Sequence, residues 1–114
     1  MEHRAPWGLA RVRGRSMTPT LHEGDRVLVR YGATVRPGDV VVARFPDGTV
    51  TVKRADSARP TRTADAGWWL LSDNPAEGVD SRHRGVLSAD AVLGVVLLRV
   101  WPRPGRIRRT TARR

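Results

Sequence analysis

The 114-residue chain contains no cysteine, so disulfides, thiol nucleophiles and thiolate metal sites are all excluded. Lysine is nearly absent as well: of 21 basic residues Lys53 alone is a lysine, and the others are arginines. A guanidinium stays protonated at any usable pH, whereas a buried ammonium can become a neutral amine that accepts a proton. The chain therefore offers one amine base. Histidine is restricted to His3, His22 and His83, none at ligand spacing, so neither a metal nor another cofactor is expected. No apolar run approaches the ~18 residues of a membrane-crossing helix, and the arginine-studded N-terminus does not read as an anchor or a signal peptide. A cytoplasmic location is the expectation. Aromatics are few, and Tyr31, Phe45 and the four tryptophans are not gathered in one basic stretch, as a stacking surface for nucleic acid would require.

What the chain does have is charge and short apolar clusters. The net charge of +10 attracts phosphates, anionic lipid or acidic proteins without choosing among them. The length suits one domain with one modest core. Residues 1–8 carry charge, Pro6 and Gly8 and are expected to be a flexible lead-in, although Trp7 could pack down. The spacing of apolar residues predicts strands over Leu9 to Arg13, Arg26 to Tyr31, Val40 to Phe45, Thr49 to Arg54, Gly67 to Leu71 and Val92 to Trp101. The unbroken β-branched run from Val40 predicts burial on both faces. Pro46-Asp47-Gly48 is a hairpin signal, Ala55 to Ala66 is expected to be a surface loop, and Ser88 to Ala91 a capped helical turn. The end of the chain holds six arginines from Pro102 onwards with little apolar content, so residues 103–114 are expected to be a disordered basic tail. That tail could make weak contact with an anionic surface. The expected architecture is an all-β barrel or sandwich-like domain over residues 9–102 with one short helical turn.

Two residues carry potential chemistry. Ser16 lies in a turn made stiff by Pro19, and Lys53 stands on the strand face shared with Thr49 and Thr51, opposite Val50 and Val52. A serine hydroxyl becomes a strong nucleophile only when a neighbouring base removes its proton, and a desolvated lysine amine can do so. Apolar walls for that amine must come from elsewhere, Met17 being the first candidate. From these two residues alone, a turn serine and an exposed strand lysine are the commoner arrangement, and the dyad is the rarer one.

Their surroundings narrow the choice. Gly14-Arg15-Ser16-Met17-Thr18-Pro19-Thr20-Leu21 followed by Gly24-Asp25 is similar to the G-x-S-M-x-P-T-L block of type I signal peptidases. Arg36-Pro37-Gly38-Asp39-Val40-Val41 resembles the R-G-D-[IV]-V strand of that family, and Val52-Lys53-Arg54 its general-base block. Ser72-Asp73-Asn74-Pro75 through Asp80-Ser81-Arg82 and Gly85 resembles its G-D-N…S-x-D-S-R-x-x-G block. Four blocks in the right order resemble that family of serine endopeptidases with a Ser-Lys dyad on an all-β fold.

The resemblance implies Ser16 as nucleophile and Lys53 as general base. The Ser16 N-H, with Gly14 beside it, would serve the oxyanion. Arg54 with Asp73, and Arg82 with Asp80 next to Ser81, would be supporting ion pairs. The substrate, a precursor protein, would bind as an added strand between Ala10 to Arg13 and Thr49 to Val52. Its contacts would include Arg11, Val12, Arg13, Met17, Pro19, Leu21, Thr51 and Val52. The chain departs from the pattern at Gly78, where the family often has a serine that orients the lysine; Ser72, Ser81 or a water would have to replace it. It departs again in its short loop after the lysine block, and no membrane anchor is expected. In these it is similar to small, anchorless proteases that remove a leader from the precursor of nickel-type superoxide dismutase. A signal peptidase acting on exported preproteins at the membrane is the alternative with the same chemistry, and a non-enzymatic basic β-domain binding nucleic acid the alternative without it. A relative that cleaves only itself, as repressor-like proteins with a related dyad do, fits the fourth block less well.

Overall fold

The computed structural model describes residues 6–110. The chain forms one antiparallel sheet of eight strands, β1 (Trp7–Arg11), β2 (Arg26–Tyr31), β3 (Val40–Arg44), β4 (Val50–Ala58), β5 (Gly67–Leu71), β6 (Leu87–Ser88), β7 (Val92–Trp101) and β8 (Gly105–Arg106). Its order is β1-β2-β7-β3-β4-β5-β6, with β8 beside β7. A single turn of helix, α1 (Ser81–Arg84), and a 3-10 turn at Ala89–Ala91 are the helical elements among the described residues. The all-β expectation holds. Ser88 caps the 3-10 turn by accepting from the Asp90 N-H, as a serine before a helical turn is suited to do.

The centre of the sheet follows from β3. Val40, Val41, Val42 and Ala43 are all buried, and their alternation sends them to two cores. Val40 and Val42 pack with Val12, Met17, Leu21, Val27, Val29 and Val96. On the other side Val41 and Ala43 pack with Phe45, Ala55, Leu70, Leu87 and Val95. Gly94 does not interrupt β7. A side chain there would press to 2.8 Å from the Arg30 carbonyl oxygen, so glycine lets β2 and β7 approach.

Three expectations are corrected. The strand at the N-terminus begins at Trp7 inside the proposed lead-in and ends at Arg11. There the Arg30 guanidinium sits 4.8 Å over the Trp7 ring; residues 1–5 lie outside the described residues. Second, Ala55 to Ala58 is not loop. It extends β4, pairing Arg54 with Leu71 and Ala55 with Leu70, because a small alanine fits the second core where a polar loop residue would not. The loop proper is 59–66. Third, the basic tail is ordered through Thr110. Ile107 packs against the first core, the Arg109 guanidinium meets Asp39 at 3.0 Å, and the Thr110 N-H donates to the Gly38 carbonyl at 3.0 Å. One apolar residue and a row of backbone partners order a segment whose composition suggests disorder. Residues 111–114, the rest of that tail, lie outside the described residues.

The sheet ends at β1 and β6, and it also parts beside the first half of β4. Among the described residues β1 pairs only with β2, and Val50 to Lys53 of β4 pair only with β3, since β5 joins β4 from Arg54 onwards. A groove of about 620 Å³ runs between them, lined by Ala10, Arg11, Arg13, Val42 and residues 49–52.

Candidate active site

Ser16 sits in the turn between β1 and β2. Gly14, at φ +77, takes a left-handed conformation that other residues reach only with strain, and it turns the chain towards the serine. The Leu21 N-H donates to the Met17 carbonyl at 2.9 Å and the Thr18 N-H to the Arg15 carbonyl at 3.2 Å. From the far side Asn74 pins the turn: its N-H donates to the Ser16 carbonyl at 2.8 Å, and its Nδ2 donates to Thr18 Oγ1 at 3.1 Å. Among the described residues the Ser16 N-H meets no acceptor. Sequence reasoning missed the part played by Asn74. The signal was its place in the fourth block, beside a side chain that can bridge two backbones.

Lys53 comes from β4 and is 2% exposed. Its Nζ lies 3.0 Å from Ser16 Oγ. The tight hairpin at 46–48, closed by the Phe45 N-H to the Thr49 carbonyl at 2.8 Å, fixes the register that pairs Lys53 with Val41. Burial pushes the Lys53 ammonium below its ordinary 10.5, and the charge of Asp80 opposes that shift only in part. The amine is thereby biased towards its neutral, proton-accepting form. Dyad residues share a cavity of about 400 Å³ whose lining includes Gly14, Phe45, Thr51, Glu77, Gly78 and Arg84. The expected wall, Met17, is packed in the first core, while the strand face of Lys53 belongs with Val41 and the second. Phe45, read from the sequence only as a strand end, is an apolar neighbour, with the Arg84 guanidinium 4.9 Å over its ring.

The two ion pairs form around this centre. Arg54, beside the lysine but on the other strand face, grips Asp73 at 2.5 and 3.1 Å and donates to the carbonyls of Gly38 at 2.9 Å and Arg108 at 2.6 Å. Thr20 Oγ1 donates to the same aspartate. Asp80 is fully buried, caps α1 and meets Arg82 Nη2 at 2.9 Å. Burial works against its charge, but hydrogen bonds from the Arg82 side chain, the Ser72 N-H and the Arg82 N-H outweigh it and hold the carboxyl below its ordinary range. Ser81 is occupied elsewhere, its Oγ accepting from the Leu70 N-H at 2.8 Å.

Of the expected substrate contacts, Arg11, Arg13, Thr51 and Val52 line the groove between β1 and β4. Val12, Met17 and Leu21 do not, being 2%, 1% and 0% exposed in the first core, where their apolar side chains are worth more than at a wet surface. Pro19 is exposed but faces a separate hollow beside Thr20, Arg54 and Asp73. No cluster of histidine and carboxylate with metal-holding geometry occurs among the described residues. No described helix is long and apolar enough to cross a membrane.

The site thus sets a buried lone amine against a turn hydroxyl on an all-β frame with an open groove. The sequence pattern described as peptidase S24-like matches residues 2–96, and the chain belongs to this family of serine peptidases.

Proposed function

We propose that the chain is an endopeptidase in which Ser16 and Lys53 act as a catalytic dyad to remove an N-terminal leader from a precursor protein. The observation that carries this reading is the 3.0 Å approach of the sole lysine, buried, to Ser16 Oγ. The neutral amine takes the Ser16 proton as Oγ attacks the scissile carbonyl, and the unpaired Ser16 N-H faces the oxyanion that develops. Lys53 then hands the proton to the leaving amine. Water, deprotonated by the same amine, releases the acyl group and restores the serine.

The groove supports binding of the leader as an added strand, because among the described residues β1 and the first half of β4 each have backbone groups with no strand partner. The substrate we favour is the precursor of nickel-type superoxide dismutase. That choice rests on the resemblance to small anchorless maturation proteases and on the short loop at 59–66. Arginine already caps three of the four tryptophans, at Trp7, Trp69 and Trp101, which leaves a nucleic-acid stacking surface little to work with.

Co-expression with the dismutase precursor, followed by mass determination of its N-terminus, tests the reading. Trimming by the wild type and an intact leader with Ser16→Ala are expected. An intact leader with both proteins would remove the dismutase assignment, and trimming of an exported preprotein instead would favour the membrane alternative. A change in the mass of the peptidase incubated alone would reveal self-cleavage.

A further inference from the structure

Away from the dyad, the outer face of β1, β2 and β7 is apolar and basic where a lone domain would be mixed and polar. Alternation along β1 turns Ala10 towards the first core and Trp7, Leu9 and Arg11 away from it. Along β2, Val27 and Val29 are buried, while Arg26, Leu28 and Arg30 face outwards. Register brings the outward residues together. Trp7 lies across from Arg30, Leu9 from Leu28 and Arg11 from Arg26; on β7, Leu98 lies across from Leu28 and Trp101 from Arg26. A row of leucines thus runs between two rows that each hold a tryptophan, and Trp7, Leu9 and Trp101 are 46%, 67% and 56% exposed. Contiguous exposed apolar residues rimmed by polar ones mark interaction surfaces.

The charge of this face has one sign. Arg11, Arg26, Arg30, Arg99 and Arg106 stand on β1, β2, β7 and β8, and those strands hold no acidic residue. Asp25, next to Arg26 in the chain, is buried; it accepts from the His22 N-H at 2.8 Å and faces Arg99 at 3.7 Å. Among the described residues the guanidiniums of Arg11, Arg26 and Arg30 meet no carboxylate. Arg30 sits 4.8 Å over the Trp7 ring and Arg26 5.3 Å over the Trp101 ring. A guanidinium placed over a ring keeps N-H donors for a carboxylate and gives up less side-chain freedom when one arrives.

A second copy of the chain would set arginine against arginine here, so the occupant is acidic. Arg11 narrows it further, because it belongs to this face and also lines the groove beside Ala10 and Arg13. We infer that the face is a docking surface for the folded body of the precursor protein, whose surface carboxylates meet Arg26 and Arg30 while its leader lies in the groove. Tryptophan and arginine are the residue types that most often anchor protein interfaces. The chain joining leader to body lets two weak contacts reinforce each other, since the first raises the effective concentration for the second. This inference rests on the precursor reading above.

Cleavage of the dismutase precursor, compared with cleavage of a synthetic peptide that spans only its leader and cut site, tests it. With Arg26→Glu/Arg30→Glu, KM for the precursor should rise about tenfold at unchanged kcat, as when binding shared by ground and transition states is lost, and the peptide should be cut as by the wild type. Arg26→Gln/Arg30→Gln should fall between the two. Both arginines are exposed, so both variants should keep the wild-type circular dichroism. Rising ionic strength should weaken precursor cleavage by the wild type more than by the reversed pair. Equal losses on precursor and peptide, or a loss on neither, would overturn the docking surface. Binding to phosphatidylglycerol vesicles by the wild type and not by the reversed pair, with precursor kinetics unchanged, would overturn it too and give the face to a membrane. A wild type that cuts neither substrate fails at the precursor reading and takes this inference with it.

Discussion

Placing a serine at position 78, where the resemblance to signal peptidases would expect one, should damage the protein. In Gly78→Ser the new Cβ would stand 2.8 Å from Ser16 Cβ and 3.4 Å from Lys53 Nζ, with Ser16 Oγ 3.6 Å away. The first distance is closer than carbon atoms tolerate, so the serine turn or the 74–79 turn must move. Position 78 also has φ +79, where an L-residue costs about 1–2 kcal/mol relative to glycine. For a domain of this size that corresponds to a fall in thermal midpoint of roughly 4–8 °C. Displacing a reacting group by about 1 Å costs on the order of 100-fold in rate. Gly78→Ser and Gly78→Ala should therefore lose both, to similar extents, because the Cβ and not the hydroxyl does the harm. Leader cleavage followed by mass spectrometry, with a thermal melt of each variant, measures the two effects. A Gly78→Ser protein that cleaves faster than the wild type would show that the missing hydroxyl was the defect and that the steric account is wrong.

Ser16→Ala, Lys53→Ala and Lys53→Arg should each lower cleavage by about 10⁴-fold or more while keeping the far-ultraviolet circular dichroism of the wild type; turnover by Lys53→Arg would refute amine catalysis. Cleavage should rise with pH through the lowered Lys53 pKa, reaching half its plateau below 10.5. Asp80→Asn, which removes the charge opposing that shift, should move the rise to lower pH, and a move upwards would contradict the assignment. In the window between the folded and unfolded lysine pKa values the unfolded chain binds the extra proton, so stability attributable to Lys53 climbs with pH there, and below it the full cost of burial is present. Arg54→Ala should cost about 3–5 kcal/mol in a denaturant melt, since Asp73 loses its cation and the carbonyls of Gly38 and Arg108 lose their donor. Removing residues 105–114 should cost about 1–2 kcal/mol through Ile107 alone, and an unchanged melt would mean that the ordered tail adds nothing.

Strand positions were legible where side chains alternate or run β-branched, as at Val27 and Val29 or from Val40 to Ala43, because burial imposes those periods. The end of β4 was not. Ala55 to Ala58 is small and polar enough to pass for loop, and only pairing with β5, distant in the chain, makes it strand. Likewise the segment at 105–110 is held by Arg54, Asp39 and Gly38, partners that a local reading cannot see. At the site, residue types alone exposed Lys53 as the one possible amine base, and the ordered blocks pointed to Ser16. Which neighbours face them depends on how distant strands pack, so nearness in sequence suggests Met17 as the wall although it packs in the opposite core, and nothing local marks Phe45.

The open edges of β1 and β4 make the fold an unfinished barrel whose last stave would come from outside. Backbone N-H and C=O groups are the same for almost every residue type, so such edges read conformation before they read sequence. Only a segment able to lie fully extended for several residues could satisfy them, and a helix or a folded hairpin could not. If the proposed function holds, a mature folded protein would be refused at the groove that would take its loose leader.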